Sequence, residues 1–169
     1  MSYNRVSASN IREGGPFERV LLDPESLRSE LVRQGLHDAR LREDSWVGVR
    51  SLTNDGRFSA LFFASVGGGI LPALLTRIYL PCWPTPGSAP EVILLLNEFN
   101  ALGASYSLDC RTYEVILSHS LPCPEAYVER RVLTAEIEGL REECLRRGER
   151  IISLLQGRIP LAEAVRASL

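Results

Sequence analysis

A chain of 169 residues, 45% of them hydrophobic, has apolar surface enough for one domain with its own core. Its formal charge of −2 sets up no overall field toward nucleic acid or anionic membrane, and its apolar runs are too short to cross a bilayer. Every basic residue is arginine. That reads first as the coding bias of a GC-rich genome and second as a set of bidentate anion clamps; glutamates beside the arginines favour the first.

Residues 1–16 are polar and glycine-containing and read as a frayed arm, without the charged start and apolar core of a secretion signal. This points to a cytoplasmic chain whose four cysteines are reduced. Asp23-Pro24-Glu25 is a helix start, with Asp as cap, Pro in the first turn and Glu favourable there. Leu27, Leu31 and Val32 follow at helical spacing, and Gly35 closes the helix. Residues 36–42 alternate apolar and polar as a strand. Trp46, Val49 and Leu52 mark another, running into the turn Asn54-Asp55-Gly56. Residues 57–66 and 70–80 form a hairpin about Gly67-Gly68-Gly69, with Pro72 near the start of its second strand.

After a proline-rich loop, residues 91–102 predict a helix apolar nearly all round, through Val92, Ile93, Leu94, Leu95, Leu96, Phe99 and Leu102. Such a helix needs cover on more than one side, and the domain's sheet covers one, which assigns the rest to a partner subunit. Residues 104–108 and 113–121 form a hairpin around Asp109-Cys110-Arg111-Thr112. A long helix then runs over residues 125–156 on a stripe of Leu133, Ile137, Leu140, Cys144, Ile151 and Leu155, on the order of 45 Å in length. Gly139 and Gly148 are candidate bends, and Pro160 precedes a short helical tail. The domain therefore spans residues 17–157, followed by the tail at 158–169. Leu80-Pro81-Cys82 and Leu121-Pro122-Cys123 echo each other, each before a Pro-Glu pair; similar corners and chance are equally good readings.

Chemistry is scarce. His37 and His119 are the only histidines, and His119, on the strand face of Leu117 and Leu121, reads as a paired core or rim residue, not a catalytic base. Cys82, Cys123 and His119 could hold zinc if the two Leu-Pro-Cys corners are neighbours, but no Cys-x-x-Cys pair supports a metal, and Cys144 sits on an apolar stripe. The glycine triplet lacks the Lys-Ser/Thr of a phosphate loop. Arg130, Arg131, Arg141, Arg146, Arg147 and Arg150 interleave with glutamates, the pattern of a salt-bridged face more than of a nucleic-acid stripe. No catalytic residue, metal site or cofactor is assigned.

The order α-β-β-β-α-β-β-α, with Leu96-Asn97-Glu98-Phe99-Asn100 in the central helix, resembles the YbjN family. That segment is similar to the family's Leu-Asn-x-x-Asn helix, and Tyr106-Ser107-Leu108-Asp109 to the strand start that follows it. Val115 to Leu121, then Pro122 and a long final helix, continue the likeness. The first half agrees in layout, through residues 27–35, Trp46, Asn54-Asp55-Gly56 and Arg57 onward. The resemblance covers residues 24–156; the Arg-rich helix and the triple glycine depart from the family pattern. It implies an α+β domain with an antiparallel sheet, similar in fold to type III secretion chaperones of the Tir-chaperone class. It also implies a non-enzymatic dimer that binds segments of other proteins as chaperone, escort or regulator.

The expected dimer interface is Leu94, Leu95, Phe99 and Tyr106, burying on the order of 1,600 Å² if of standard size. The expected client contacts are Leu27, Leu31 and Val32 on the first helix, with Phe62 or Phe63, whichever faces outward. Apolar residues occur at both parities of that strand, so it is buried twice or offers one face to a partner. The rival reading is a DNA-repair or nucleic-acid-associated accessory protein, acting through its arginines or through a repair protein's flexible tail.

Overall fold

In the computed structural model of the protein, Asp23 caps the first helix, α1 (Pro24–Arg33), by accepting a hydrogen bond from the Ser26 N–H at 2.9 Å. The structure describes residues 18–42, 45–67 and 70–166; the arm at 1–16, Gly68 and Gly69 lie outside them. A short strand, β1 (Arg19–Leu21), precedes α1. The expected strand at 36–42 shrinks to β2 (Arg40–Leu41). Ahead of it the chain turns: Ala39 N–H donates to Leu36 C=O at 3.0 Å, and Asp38 accepts from the backbone N–H groups of Arg50 and Ser51. Leu36 and Ala39 are thereby buried, and alternation was mimicked by a turn.

Five strands follow the sequence closely: β3 (Trp46–Val49), β4 (Ser59–Gly67), β5 (Ile70–Tyr79) and, after α2 (Ala89–Ala101), the hairpin β6 (Tyr106–Asp109) and β7 (Glu114–Pro122). All pairings are antiparallel, in the spatial order β2-β3-β4-β5-β7-β6. Between β3 and β4 the Asn54-Asp55-Gly56 turn forms, with Gly56 at φ 70°, but within a wider connection than a two-residue hairpin. Asp55 anchors it, accepting from the Thr53 hydroxyl at 2.5 Å and pairing with Arg57 at 2.6 Å.

The sheet register sorts side chains into two faces. Val49, Ala60, Ile78, Leu117 and Tyr106 line up across five strands; Val47, Phe62 and Thr76 form the next row. All of these are buried, in one core with Leu27 and Leu31 of α1, Leu95 and Phe99 of α2, and the stripe of the long helix. The result is two layers, an antiparallel sheet with its helices packed on one side.

The C-terminal third departs most from expectation. Residues 127–129 are not helical; they form β8 (Tyr127–Glu129), paired with β1 in a separate two-stranded sheet. Ala126 at φ 58° makes the turn into β8, and Val20 and Val128 are buried where the two strands meet. The long helix begins only at α3 (Arg130–Glu143), passes through one π-helical turn (Cys144–Gly148), and continues as α4 (Glu149–Leu155), roughly 39 Å in all. Gly148 serves close packing: a Cβ there would meet the Phe58 ring at 3.1 Å. Gly139 is exposed with nothing within 4 Å. A final helix, α5 (Leu161–Arg166), packs on α2 and α4 with Ala164 fully buried, so the tail completes the core.

Candidate functional site

None of the described helices lies on the other face of the sheet. Its rows run Trp46, Phe63, Leu75, Ser120; then Gly48, Leu61, Arg77, Ser118; then Ser59, Tyr79, Ile116, Ser107. Among the described residues of this face, Gly48 alone is buried, beneath the Arg42 side chain. Trp46, Leu61, Phe63, Leu75, Tyr79 and Ile116 are half-buried. An apolar surface of this extent, left open, is the molecule's strongest candidate for contact with another macromolecule.

Its centre is ordered. The Trp46 and Phe63 rings stack with centroids 4.8 Å apart, and the Arg77 guanidinium lies 5.5 Å from the Trp46 ring centroid. Arg42, Trp46, Leu61 and Arg77 enclose a shallow pocket of about 360 Å³. Among the described residues Arg40, Arg42 and Arg77 make no ion pair.

The expected contact residues divide. Phe63 lies on the open face and Phe62 is fully buried on the other. Leu27 and Leu31 point into the core, because α1 spends its narrow stripe on covering the sheet; Val32, half-buried, is the one of the three at the surface. Of the expected dimer residues, Leu94 is exposed at 56%, whereas Leu95, Phe99 and Tyr106 are core. The reason is that α4 and α5 cover α2 from within the same chain, which sheet-only accounting leaves out. Ile93 and Leu102 join Leu94 at the surface. Trp46, Leu75, Arg42 and Arg77 are not singled out by periodicity alone. The signal for them is the parity shared by Leu61 and Phe63 with their neighbours, readable only once the register is known.

The chemical candidates disperse. His119 Nδ1 lies 2.5 Å from Glu136 Oε1, at the rim of a cavity of about 310 Å³ lined also by Gly139, Glu143 and Arg147. No serine hydroxyl or thiol hydrogen-bonds His119 among the described residues. Cys82 and Cys123 sit at opposite ends of β5: Cys123 N–H donates to Pro72 C=O, while Cys82 follows Leu80. That separation is roughly 25 Å along the strand, so the two Leu-Pro-Cys corners do not meet. No group of three or more potential metal-ligating side chains occurs among the described residues. Burial pushes the thiols of Cys82 and Cys144 up to about 12. Burial also raises the Tyr106 hydroxyl, with Glu143 beside it adding to the effect.

The arginines of the long helix are engaged within the molecule. Arg130 bridges Glu18 and Glu30, tying α3 to α1. Arg141 donates to Leu52 C=O at 2.7 Å, and Arg147, buried, pairs with Glu143 at 3.1 Å and lies 5.7 Å from the Phe99 ring centroid. None of the described helices is long and apolar enough to cross a membrane. No protein-family model, characterised protein or solved structure matches the chain.

Proposed function

We propose that the protein is a non-enzymatic, chaperone-like or regulatory binding module that captures a segment of a client protein. The observation that carries this reading is the open sheet face, where Trp46, Leu61, Phe63, Leu75 and Ile116 stay half-buried with no described helix over them. A monomer has no reason of its own to keep such a surface apolar. The YbjN-like layout is compatible with the same reading: the expected order α-β-β-β-α-β-β-α is approached once β1, β2, β8 and α5 are set aside and α3, the π turn and α4 are taken as one helix. Dimerisation belongs to this reading and rests on Ile93 and Leu94, exposed on α2.

The rival reading through the long helix loses force because its arginines are held by Glu18, Glu30, Glu143 and backbone carbonyls. Co-purification from native lysate names the client. Titration of that client onto purified variants then tests the site. Phe63→Ala weakens binding by on the order of 2 kcal/mol while His37→Ala and His119→Ala leave it intact. Loss of binding in a histidine variant, with Phe63→Ala unaffected, contradicts the reading. For the dimer, sedimentation of wild type at micromolar concentration shows a dimer that Leu94→Glu dissociates; a wild-type monomer contradicts it.

A further inference from the structure

We infer that the open face takes an acidic, extended client segment, whose carboxylates meet Arg42 and Arg77 while its apolar side chains lie on Leu61, Phe63 and Leu75. This rests on the protein-binding reading and names the partner chemistry of the same surface. Among the described residues, the charge of the face is one-sided where the aromatics are. Arg40 and Arg77 project from strand rows of this face, and Arg42 lies over Gly48 between them. The acidic strand residues of the face, Asp109 and Glu114, pair with each other at its far end. Glu114 stands four positions from Ser118, the β7 neighbour of Arg77, or about 13 Å along the strand.

Three arginines without ion pairs among the described residues, set around a stacked Trp-Phe pair, are complementary to carboxylates interleaved with apolar side chains. The fixed fork of a guanidinium suits a carboxylate, and Arg77 can present its N–H edge while its face rests on Trp46. A second copy of the chain fits less well. A two-fold contact centred here would set Arg42 and Arg77 against their own counterparts, placing like charges together. A nucleic acid would meet the arginines, but stacking needs a free ring, and Trp46 is already engaged by Phe63 and Arg77.

The test uses fluorescence anisotropy with three labelled probes: a peptide alternating Asp with Leu and Phe, the same peptide with Lys for Asp, and oligo-dT. The proteins are wild type, Phe63→Ala, the pair Arg42→Glu with Arg77→Glu, the milder pair Arg42→Gln with Arg77→Gln, and Arg111→Glu as a distant control. Circular dichroism checks folding. The acidic peptide should bind wild type at least about tenfold tighter than the Lys peptide, and added salt should weaken it. The Gln pair should lose most of that preference and the Glu pair should invert it; Phe63→Ala should weaken the acidic peptide and Arg111→Glu should not.

Equal binding of both peptides, lost on Phe63→Ala, overturns the charge assignment and leaves the protein-binding reading standing. Oligo-dT binding tighter than the acidic peptide, lost in the same arginine pairs, overturns it in favour of single-stranded nucleic acid. No probe binding, with a dimer that Phe63→Glu dissociates, overturns it in favour of a second copy. No probe binding and no such dimer overturns it together with the role given to this face.

Discussion

The two faces of the central sheet both carry large apolar side chains, and those side chains meet opposite fates, although the second face also holds serines and Arg77. On one, Phe62, Leu74 and Ile78 are closed over by α1, α2 and the long helix; on the other, Phe63, Leu75 and Tyr79 stay at the surface, with Arg77 among them. Adjacent residues of one strand thus serve different ends. The covered face holds the fold together, and the open face is left over by the described helices. An apolar surface that a domain keeps after its own helices are spent is best explained by something outside the domain.

Truncation of the two neighbouring phenylalanines separates the two faces most strongly. Phe62→Ala removes a fully buried ring, and we expect a loss of about 3–5 kcal/mol in urea unfolding. Phe63→Ala should cost under about 1.5 kcal/mol of stability, since its ring is half-exposed, while client affinity falls. Equal destabilisation by the two changes would mean that the open face is structurally closed in solution.

Gly148→Ala probes the covered side at its tightest point. The added methyl meets the Phe58 ring at 3.1 Å, inside the π-helical turn, and we expect about 1–2 kcal/mol of destabilisation. Gly139→Ala, at an open position of the same long helix, should instead stabilise by a few tenths to about 1 kcal/mol. If both changes had one sign and size, the π turn would carry no packing constraint.

Acid should act at the corner where the covered layer meets the β3–β4 turn. The Thr53 hydroxyl, then Arg57, hold the Asp55 carboxyl down at about 2, below its usual 3.8. Because the folded value is depressed, this stabilisation is complete above about pH 4 and is lost as pH falls through about 2. Asp55→Asn should therefore be less stable than wild type at neutral pH, with the gap closing between pH 4 and pH 2 in unfolding curves. A gap constant with pH would show that the carboxylate has no preferred partner in the folded state.

The smallest effect concerns thiols. Cys110 is exposed in the β6–β7 turn, while Cys82, Cys123 and Cys144 are buried, with burial raising all three. A thiol reagent should modify one cysteine quickly in native protein and all four after denaturation. Fast reaction at Cys82 or Cys123 would show that the ends of the sheet open readily.

Much of the fold is legible along the chain because its signals are local. Asp23-Pro24 and Gly35 bound α1, β4 ends at the first glycine of the triplet, and the Asp109 turn joins β6 to β7. What is illegible depends on distant partners. β8 becomes a strand because β1, more than a hundred residues earlier, supplies its pair, and helix propensity after Pro124 gives way to that. Val92, Leu95, Leu96 and Phe99 form the buried stripe of α2, with Phe99 held between Tyr106 of β6 and Arg147 of the long helix, partners remote in sequence from one another. The candidate site suffers most from this. Two apolar parities in β4 announce that one face is spare, but which one, and that Trp46 and Arg77 share it, follows only from the register across β3, β4 and β5.

A client bound on the open face sits over Trp46. The chain has two tryptophans, Trp46 on the open face and Trp83 in the loop before α2, so their indole N–H signals in an ¹⁵N-labelled sample report the site directly. At saturation with the captured client segment, the Trp46 signal should shift or broaden, and Phe63→Ala should suppress that change. A Trp46 signal that stays in place while the client is bound would contradict the assignment of the open face as the binding surface.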